Sequence, residues 1–251
     1  GGNHEEKGLR DWQGKRYWVV GASEGLGRAV SHELSRRGVE LLLSARNEER
    51  LDELAGELPG KAISVPMDIS DRASVLEAAA SLGHVDGLVA LAGVYWPMPA
   101  KDWDAERVEA MCDINFTGTA RVVGSVLPQM IERDEGHVVL TGSLSGFRGL
   151  PGASAYAASK AGVMSMAESL RADLWRTGVE VQLVNPGFIK TRLTEQNDFR
   201  MPFIQEPDVA ARAFVEHLET DGFSKSFPWL FGSLFRVSQF LPDWLYYRLF
   251  A

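Results

Sequence analysis

One short stretch constrains the fold more than any other. An apolar run from Tyr17 to Val20 leads directly into Gly21-Ala22-Ser23-Glu24-Gly25-Leu26-Gly27, and a helical pattern begins at once. Small residues at such a junction let the backbone turn tightly and approach a pyrophosphate, whose charge the helix N-terminus stabilises through its free N–H groups. A glycine-rich turn can also serve strand-to-helix geometry alone. Its position at the head of an alternating strand and helix series favours phosphate binding, although the Gly-x-x-x-Gly-x-Gly spacing differs from the common dinucleotide fingerprint. Gly21, Ser23, Glu24, Gly25, Leu26 and Gly27 are therefore expected at the cofactor.

The rest of the chain repeats that alternation. Strand-like runs occur at Tyr17 to Val20, Glu40 to Leu43, Ala62 to Val65, Gly87 to Leu91, His137 to Thr141 and Glu180 to Val184. Helical patterns lie near Gly27 to Arg37, Glu48 to Glu57, Asp71 to Leu82, Asp104 to Arg133 and Ala157 to Thr177. Six strands in this order predict an α/β fold with a doubly wound, Rossmann-like parallel sheet. With 251 residues, 45% of them hydrophobic, the chain can bury one large core. Residues 1–251 read as one domain, with 192–226 as a substrate-loop region and 227–251 as an apolar C-terminal extension that carries no strand signal. The net charge of -8 opposes binding to a phosphate backbone. Cys112 is the only cysteine; it is read as a small buried hydrophobe, and no disulfide framework is in view. A cytoplasmic address is expected, and the polar start, Gly1 to Trp12, lacks the apolar run of a signal peptide. The five histidines show no ligand spacing, so each is expected at the surface or in a cap, and no metal is predicted.

The second strand ends Leu43-Ser44-Ala45-Arg46, with no carboxylate to grip a ribose 2′-hydroxyl. Arg46 is placed to meet a 2′-phosphate instead, which predicts NADP(H) over NAD. After the third strand, Asp68 and Ile69 fall where an adenine-edge contact is possible. Ser70 is the expected helix N-cap, leaving Asp68 available.

Ser143 closes the fifth strand. Tyr156 opens the next helix, and Lys160 follows four positions later on the same helix face. A tyrosine hydroxyl can deliver a proton to a developing alkoxide when a neighbouring cation stabilises its phenolate. Ser143 adds a hydrogen-bond donor where negative charge accumulates. These motifs in this order resemble the compact subgroup of the short-chain dehydrogenase/reductase family, over nearly the whole stretch from Gly14 to Thr191. The resemblance implies a catalytic set of Asn115, Ser143, Tyr156 and Lys160, with Tyr156 and Lys160 also at the cofactor and 4-pro-S hydride transfer. It implies that Asn115, in Asn115-Phe116-Thr117-Gly118, kinks its helix and holds a water for proton relay. It also implies that Pro186, Gly187, Ile189 and Thr191 face the cofactor. The family's usual Asn-Asn-Ala-Gly reads Ala90-Leu91-Ala92-Gly93, so Ala92 and Gly93 still permit close approach, whereas the asparagine side-chain bridging is lost.

The substrate walls are expected from Tyr95, Trp96, Leu150 and Phe188, beside Ser143 and Tyr156. Their apolar character suggests a hydrophobic or aromatic carbonyl or alcohol. Arg148 and Arg192 are read as solvated. The segment Phe227 to Phe250 is read first as an oligomer contact or lid, in a homodimer or homotetramer. Membrane-surface association comes second and a transmembrane span last, since Arg236, Pro228 and Pro242 disfavour spanning. Two rival functions stand beside an NADP-dependent oxidoreductase: a dinucleotide-binding regulatory or interaction protein without useful turnover, and a sugar-nucleotide epimerase or dehydratase.

Overall fold

The computed structural model describes residues 9–187, 189 and 205–251. β1 (Arg16–Val20) leads to α1 (Gly25–Arg36), β2 (Glu40–Ser44) to α2 (Glu48–Glu57), and β3 (Ala62–Ser64) to α3 (Arg72–Ser81). β4 (Gly87–Ala90) precedes α4 (Ala105–Cys112), a π-turn (Asp113–Gly118) and α5 (Thr119–Glu132). β5 (Gly136–Thr141) is followed by a 3₁₀ turn (Leu144–Gly146), α6 (Ser154–Asp173) and β6 (Val179–Pro186). Then come α7 (Pro207–Leu218), β7 (Ser224–Phe227), α8 (Trp229–Ser238) and α9 (Asp243–Phe250). The strands form one parallel sheet in the order β3-β2-β1-β4-β5-β6-β7.

Because both sheet faces are covered at its centre, β1, β2, β4 and β5 are apolar along most of their length rather than alternating. Trp18, Val20, Leu42, Leu88, Val138 and Leu140 feed one core. Tyr17, Val19, Leu41, Leu43, Val89 and Val139 feed the other, with Leu34 of α1 and Phe214 of α7.

The expectation of six strands is corrected by β7. Its residues Ser224, Lys225 and Ser226 carry no strand signal, and only Phe227 is buried; the strand exists because β6 offers an unpaired edge, in the register Leu183 with Ser224 to Pro186 with Phe227. The helical run from Asp104 to Arg133 is interrupted at Asp113–Gly118, where the backbone widens into a π-turn and Thr119 Oγ1 donates to the Asn115 carbonyl at 2.8 Å.

Four local expectations are also overturned. Asp71, rather than Ser70, caps α3, accepting from Ala73 N at 3.0 Å. β5 ends at Thr141, two residues before Ser143. Cys112 is exposed, because the last turn of α4 points it away from the core. His137 and His217 are buried rather than superficial.

His137 sits at the N-terminal end of the sheet, with Tyr17 Oη 2.7 Å from Nδ1 and Gln182 Oε1 2.6 Å from Nε2. The Gln182 amide nitrogen faces the carbonyls of His217, Thr220 and Gly222, so its oxygen accepts and His137 Nε2 carries the proton. Burial, then the nearby Arg10 charge, pushes the imidazole down to about 3. His137 is thus a neutral core residue.

Candidate active site

In the sheet order, the direction of winding reverses between β1 and β4, and in open α/β sheets ligands bind at that switch point beyond the strands' carboxyl ends. The glycine loop lies there. A Cβ on Gly21 would stand 2.6 Å from Ala92 N, and one on Gly27 would stand 1.8 Å from the Gly21 carbonyl oxygen. Gly25 has open space around it but holds φ at +53°, which side-chain-bearing residues adopt only at a cost. No side chain caps the N-terminus of α1, and the Glu24 carboxylate pairs with Arg50. A tight glycine cradle against the β4 loop and an uncapped helix start suit a pyrophosphate. The residues fit a nicotinamide dinucleotide.

Arg46 lies exposed just beyond β2. Asp68 is not idle: its Oδ1 accepts from Ser70 Oγ at 2.6 Å and Ser70 N at 3.0 Å. The Ser70 hydroxyl is the main reason its carboxyl is held below the usual range; burial opposes this, and the Ser70 amide, Arg46 and Arg121 assist. Ile69 is buried, with its carbonyl accepting from Arg121 at 3.0 Å. Gly187 N donates to the Phe227 carbonyl at 2.8 Å, and Ile189 bridges to Gln205. Phe188, Thr191 and Arg192 lie outside the described residues.

The expected tetrad converges. The Ser143 side chain acts on the Tyr156 phenol, and Ser143 Oγ is 2.9 Å from Ser145 Oγ. Burial pushes the Tyr156 phenol up to about 12, with the Ser143 side chain acting against it. Lys160 Nζ lies 5.9 Å from the Tyr156 ring centroid and donates to the Thr141 carbonyl at 3.2 Å. Burial lowers this ammonium to about 8. Asn115 is fully buried in the π-turn. Its Oδ1 accepts from Val94 N at 2.8 Å, and its Nδ2 donates to Val94 O at 2.9 Å and Ser159 Oγ at 3.1 Å. Asn115 therefore clasps the backbone of the β4 loop, which lacks both asparagines of the usual motif. Gly93 lies between: a Cβ there would be 3.3 Å from both Asn115 Oδ1 and Lys160 Nζ.

Two partners in the site carry little sequence signal. Thr141 contributes a backbone carbonyl, which any residue could supply. Ser145 could have been found from its spacing two residues after Ser143.

Around the phenol, Tyr95 packs on Tyr156 with centroids 4.4 Å apart, and Trp96, Met98 and Met111 complete an apolar cluster. Leu150 is half-buried in the loop that follows the 3₁₀ turn. Arg148 is not solvated as expected. It donates to the carbonyls of Ser238 at 2.7 Å and Leu241 at 2.8 Å, bonds Asp243 Oδ1 at 2.9 Å, and lies 3.8 Å over the Tyr246 ring. Among the described residues no helix is long and apolar enough to cross a membrane, and no group of three or more His, Cys, Asp or Glu is placed to hold a metal ion.

A parallel sheet with a glycine loop at its switch point and a Tyr–Lys–Ser–Asn cluster beside it defines a nucleotide-dependent oxidoreductase scaffold. Residues 15–200 match the family model described as short chain dehydrogenase. A Myxococcus xanthus protein described as an uncharacterized oxidoreductase is 40% identical over 235 residues, covering 91% of this chain and 93% of its own. A short-chain dehydrogenase from Streptomyces avermitilis superposes with a TM-score of 0.81 at 26% identity, covering 94% of this chain and 95% of its own. A short-chain dehydrogenase from Sphingobium yanoikuyae, solved in complex with NADPH, gives 0.79 at 25% identity, covering 91% and 97%. The chain belongs to the short-chain dehydrogenase/reductase family of oxidoreductases.

Proposed function

We propose that this protein is an NADP(H)-dependent oxidoreductase acting on a carbonyl or secondary alcohol, with Tyr156 as proton donor. The observation that carries the reading is the convergence of Tyr156, Ser143 and Lys160 beside the glycine cradle. When bound, the nicotinamide supplies or accepts the hydride. With its phenol raised by burial to about 12, Tyr156 holds its proton at neutral pH and gives it up only as negative charge develops on the substrate oxygen. Ser143 donates a hydrogen bond to that same oxygen and so stabilises its developing negative charge. Lys160, with its ammonium 5.9 Å from the ring centroid, stabilises the phenolate left behind. Asn115 fixes the β4 loop and, through Ser159, the start of α6. Gly21, Gly25, Gly27 and the start of α1 would hold the pyrophosphate, with Ser23, Leu26, Ala92, Gly93, Pro186 and Ile189 around it.

Reading the purified protein's NADPH absorbance against alkyl, aryl and sugar carbonyls tests the assignment: turnover of apolar or aromatic carbonyls is expected, and turnover confined to strongly polar ones would count against it. The pH dependence follows from Lys160. Its pKa is lowered to about 8, so the cation is present below that pH and lost above it. For reduction, kcat/KM should be flat toward neutral pH and fall above about pH 8. A steady rise through the alkaline limb would refute the role of the ammonium.

The choice of NADP(H) rests on Arg46, on the absence of an acid at the end of β2, and on the NADPH held by the Sphingobium relative. Arg46→Asp should weaken NADPH binding by about tenfold to a hundredfold, since a charge-assisted contact is worth about 1.5–3 kcal/mol, while leaving NADH nearly unaffected. An unchanged preference in a titration of cofactor fluorescence would overturn it. Leu234, Val237, Phe240, Trp244 and Tyr247 are large and exposed on the C-terminal helices and the turn between them; they supply apolar surface for self-association, in keeping with a homodimer or homotetramer.

A further inference from the structure

The C-terminal helices dock on the loop that follows Ser143. Arg148 spends one nitrogen on two carbonyls at the end of α8, the other on Asp243, and lays its guanidinium plane on Tyr246. Tyr246 Oη donates to the Gly149 carbonyl from the opposite direction. A second contact lies beside Ser143. Gly232 of α8 comes against Leu144, where a Cβ would be 3.4 Å from Leu144 Cδ2, and Gly187 meets Leu144 Cδ1 at 3.2 Å and Pro228 Cδ at 3.2 Å by the same measure. Leu144 is the residue directly after Ser143, and Leu150 lies two residues after Arg148. Tyr246, Phe235 and Ser238 are buried under this arrangement.

From these contacts we propose that the C-terminal helix pair is a positioning element of the active site, with Arg148 as its positioning residue. Through Arg148 and Leu144 it fixes the loop that carries Ser143 at one end and Leu150 on the substrate side. The planar guanidinium is suited to this task, because its fork serves carbonyls and a carboxylate in fixed directions while its face stacks on an aromatic ring. A lysine offers a point charge without that geometry. A loop released at Arg148 would let the Ser143 hydroxyl and the Leu150 wall drift, and small misplacements of catalytic groups are costly. The effect should fall on the carbonyl substrate and not on the dinucleotide, whose cradle lies across the sheet's switch point at Gly21 to Gly27.

This inference rests on the oxidoreductase reading, and the test separates the two. Arg148→Ala, Arg148→Lys and, as a milder change, Tyr246→Phe are compared with the unaltered full-length protein. Hydrogen exchange is followed at 144–153 and 235–250, alongside NADPH affinity by fluorescence and kcat and KM for a carbonyl. Both Arg148 variants should lose exchange protection in the two segments together, hold NADPH within about twofold, and lose about tenfold or more in kcat/KM. Tyr246→Phe should shift both segments in the same direction by less. If the segments exchange independently, or kcat/KM is unchanged when both are loosened, the positioning role is overturned. Coupled exchange in a protein that reduces no carbonyl would instead sink the enzymatic reading and leave Arg148 as a tether alone.

Discussion

Tyr156→Phe should lower kcat for carbonyl reduction by about a hundredfold to ten-thousandfold, the usual contribution of a positioned general acid, while NADPH affinity stays within about twofold. The substitution removes one oxygen and keeps the ring, so packing on Tyr95 at 4.4 Å and the position of Lys160 behind it persist. What disappears is the phenolic proton, together with the interaction of the phenol with the Ser143 side chain. Two measurements separate the interpretations. Stopped-flow mixing of the NADPH-loaded variant with carbonyl should show the chemical step slowed, and equilibrium fluorescence should show the dinucleotide still bound. If turnover survives within about tenfold of the original, the proton comes from elsewhere and the role of Tyr156 as the acid is refuted.

Gly27→Ala should abolish high-affinity cofactor binding through a single methyl group. Gly27 is buried in the first turn of α1, and the added carbon would lie 1.8 Å from the Gly21 carbonyl oxygen, 2.8 Å from its carbon and 3.2 Å from Ala22 Cα. These are backbone atoms and cannot rotate away. Either α1 lifts from the end of β1 or the glycine loop reshapes, and overpacking of this kind costs about 1–3 kcal/mol, occasionally more. A loss of 1.4 kcal/mol is tenfold in an equilibrium constant, so NADPH affinity should fall by about tenfold to a hundredfold or beyond. Gly56→Ala serves as the control. Gly56 lies within α2 with nothing near its missing Cβ, and alanine there should leave binding intact and add about 0.5–1 kcal/mol of stability. Equal binding by Gly27→Ala and the control, measured by calorimetry, would refute the close approach of α1 to the loop.

Much of the site was legible because its chemistry is written in side-chain type and spacing. Gly21 and Gly27 report a backbone that admits no side chain, Gly25 a positive φ, and the Tyr156 and Lys160 interval reports a shared helix face. The six strands expected from apolar runs are all present, because doubly covered strands must be apolar along both faces. The failures have a common cause. β7 has polar residues and exists by virtue of the free edge of β6. Buried His137 and His217 are tolerated because Tyr17, Gln182 and the Phe223 carbonyl meet them. Arg148 was read as solvated because its acceptors, two carbonyls and Asp243, lie some ninety positions away along the chain.

The sequence by itself determined the order of strands and helices, the glycine turn and the helix that carries Tyr156 and Lys160, since each of these follows from local backbone freedom and hydrophobic period. Tertiary structure alone decided that the Thr141 carbonyl receives the Lys160 ammonium, that Asn115 holds the β4 loop through the Val94 backbone, and that the C-terminal helices grip the loop after Ser143. Those contacts join groups far apart in the chain, often through backbone atoms that every residue possesses, and so leave no mark on residue type or spacing.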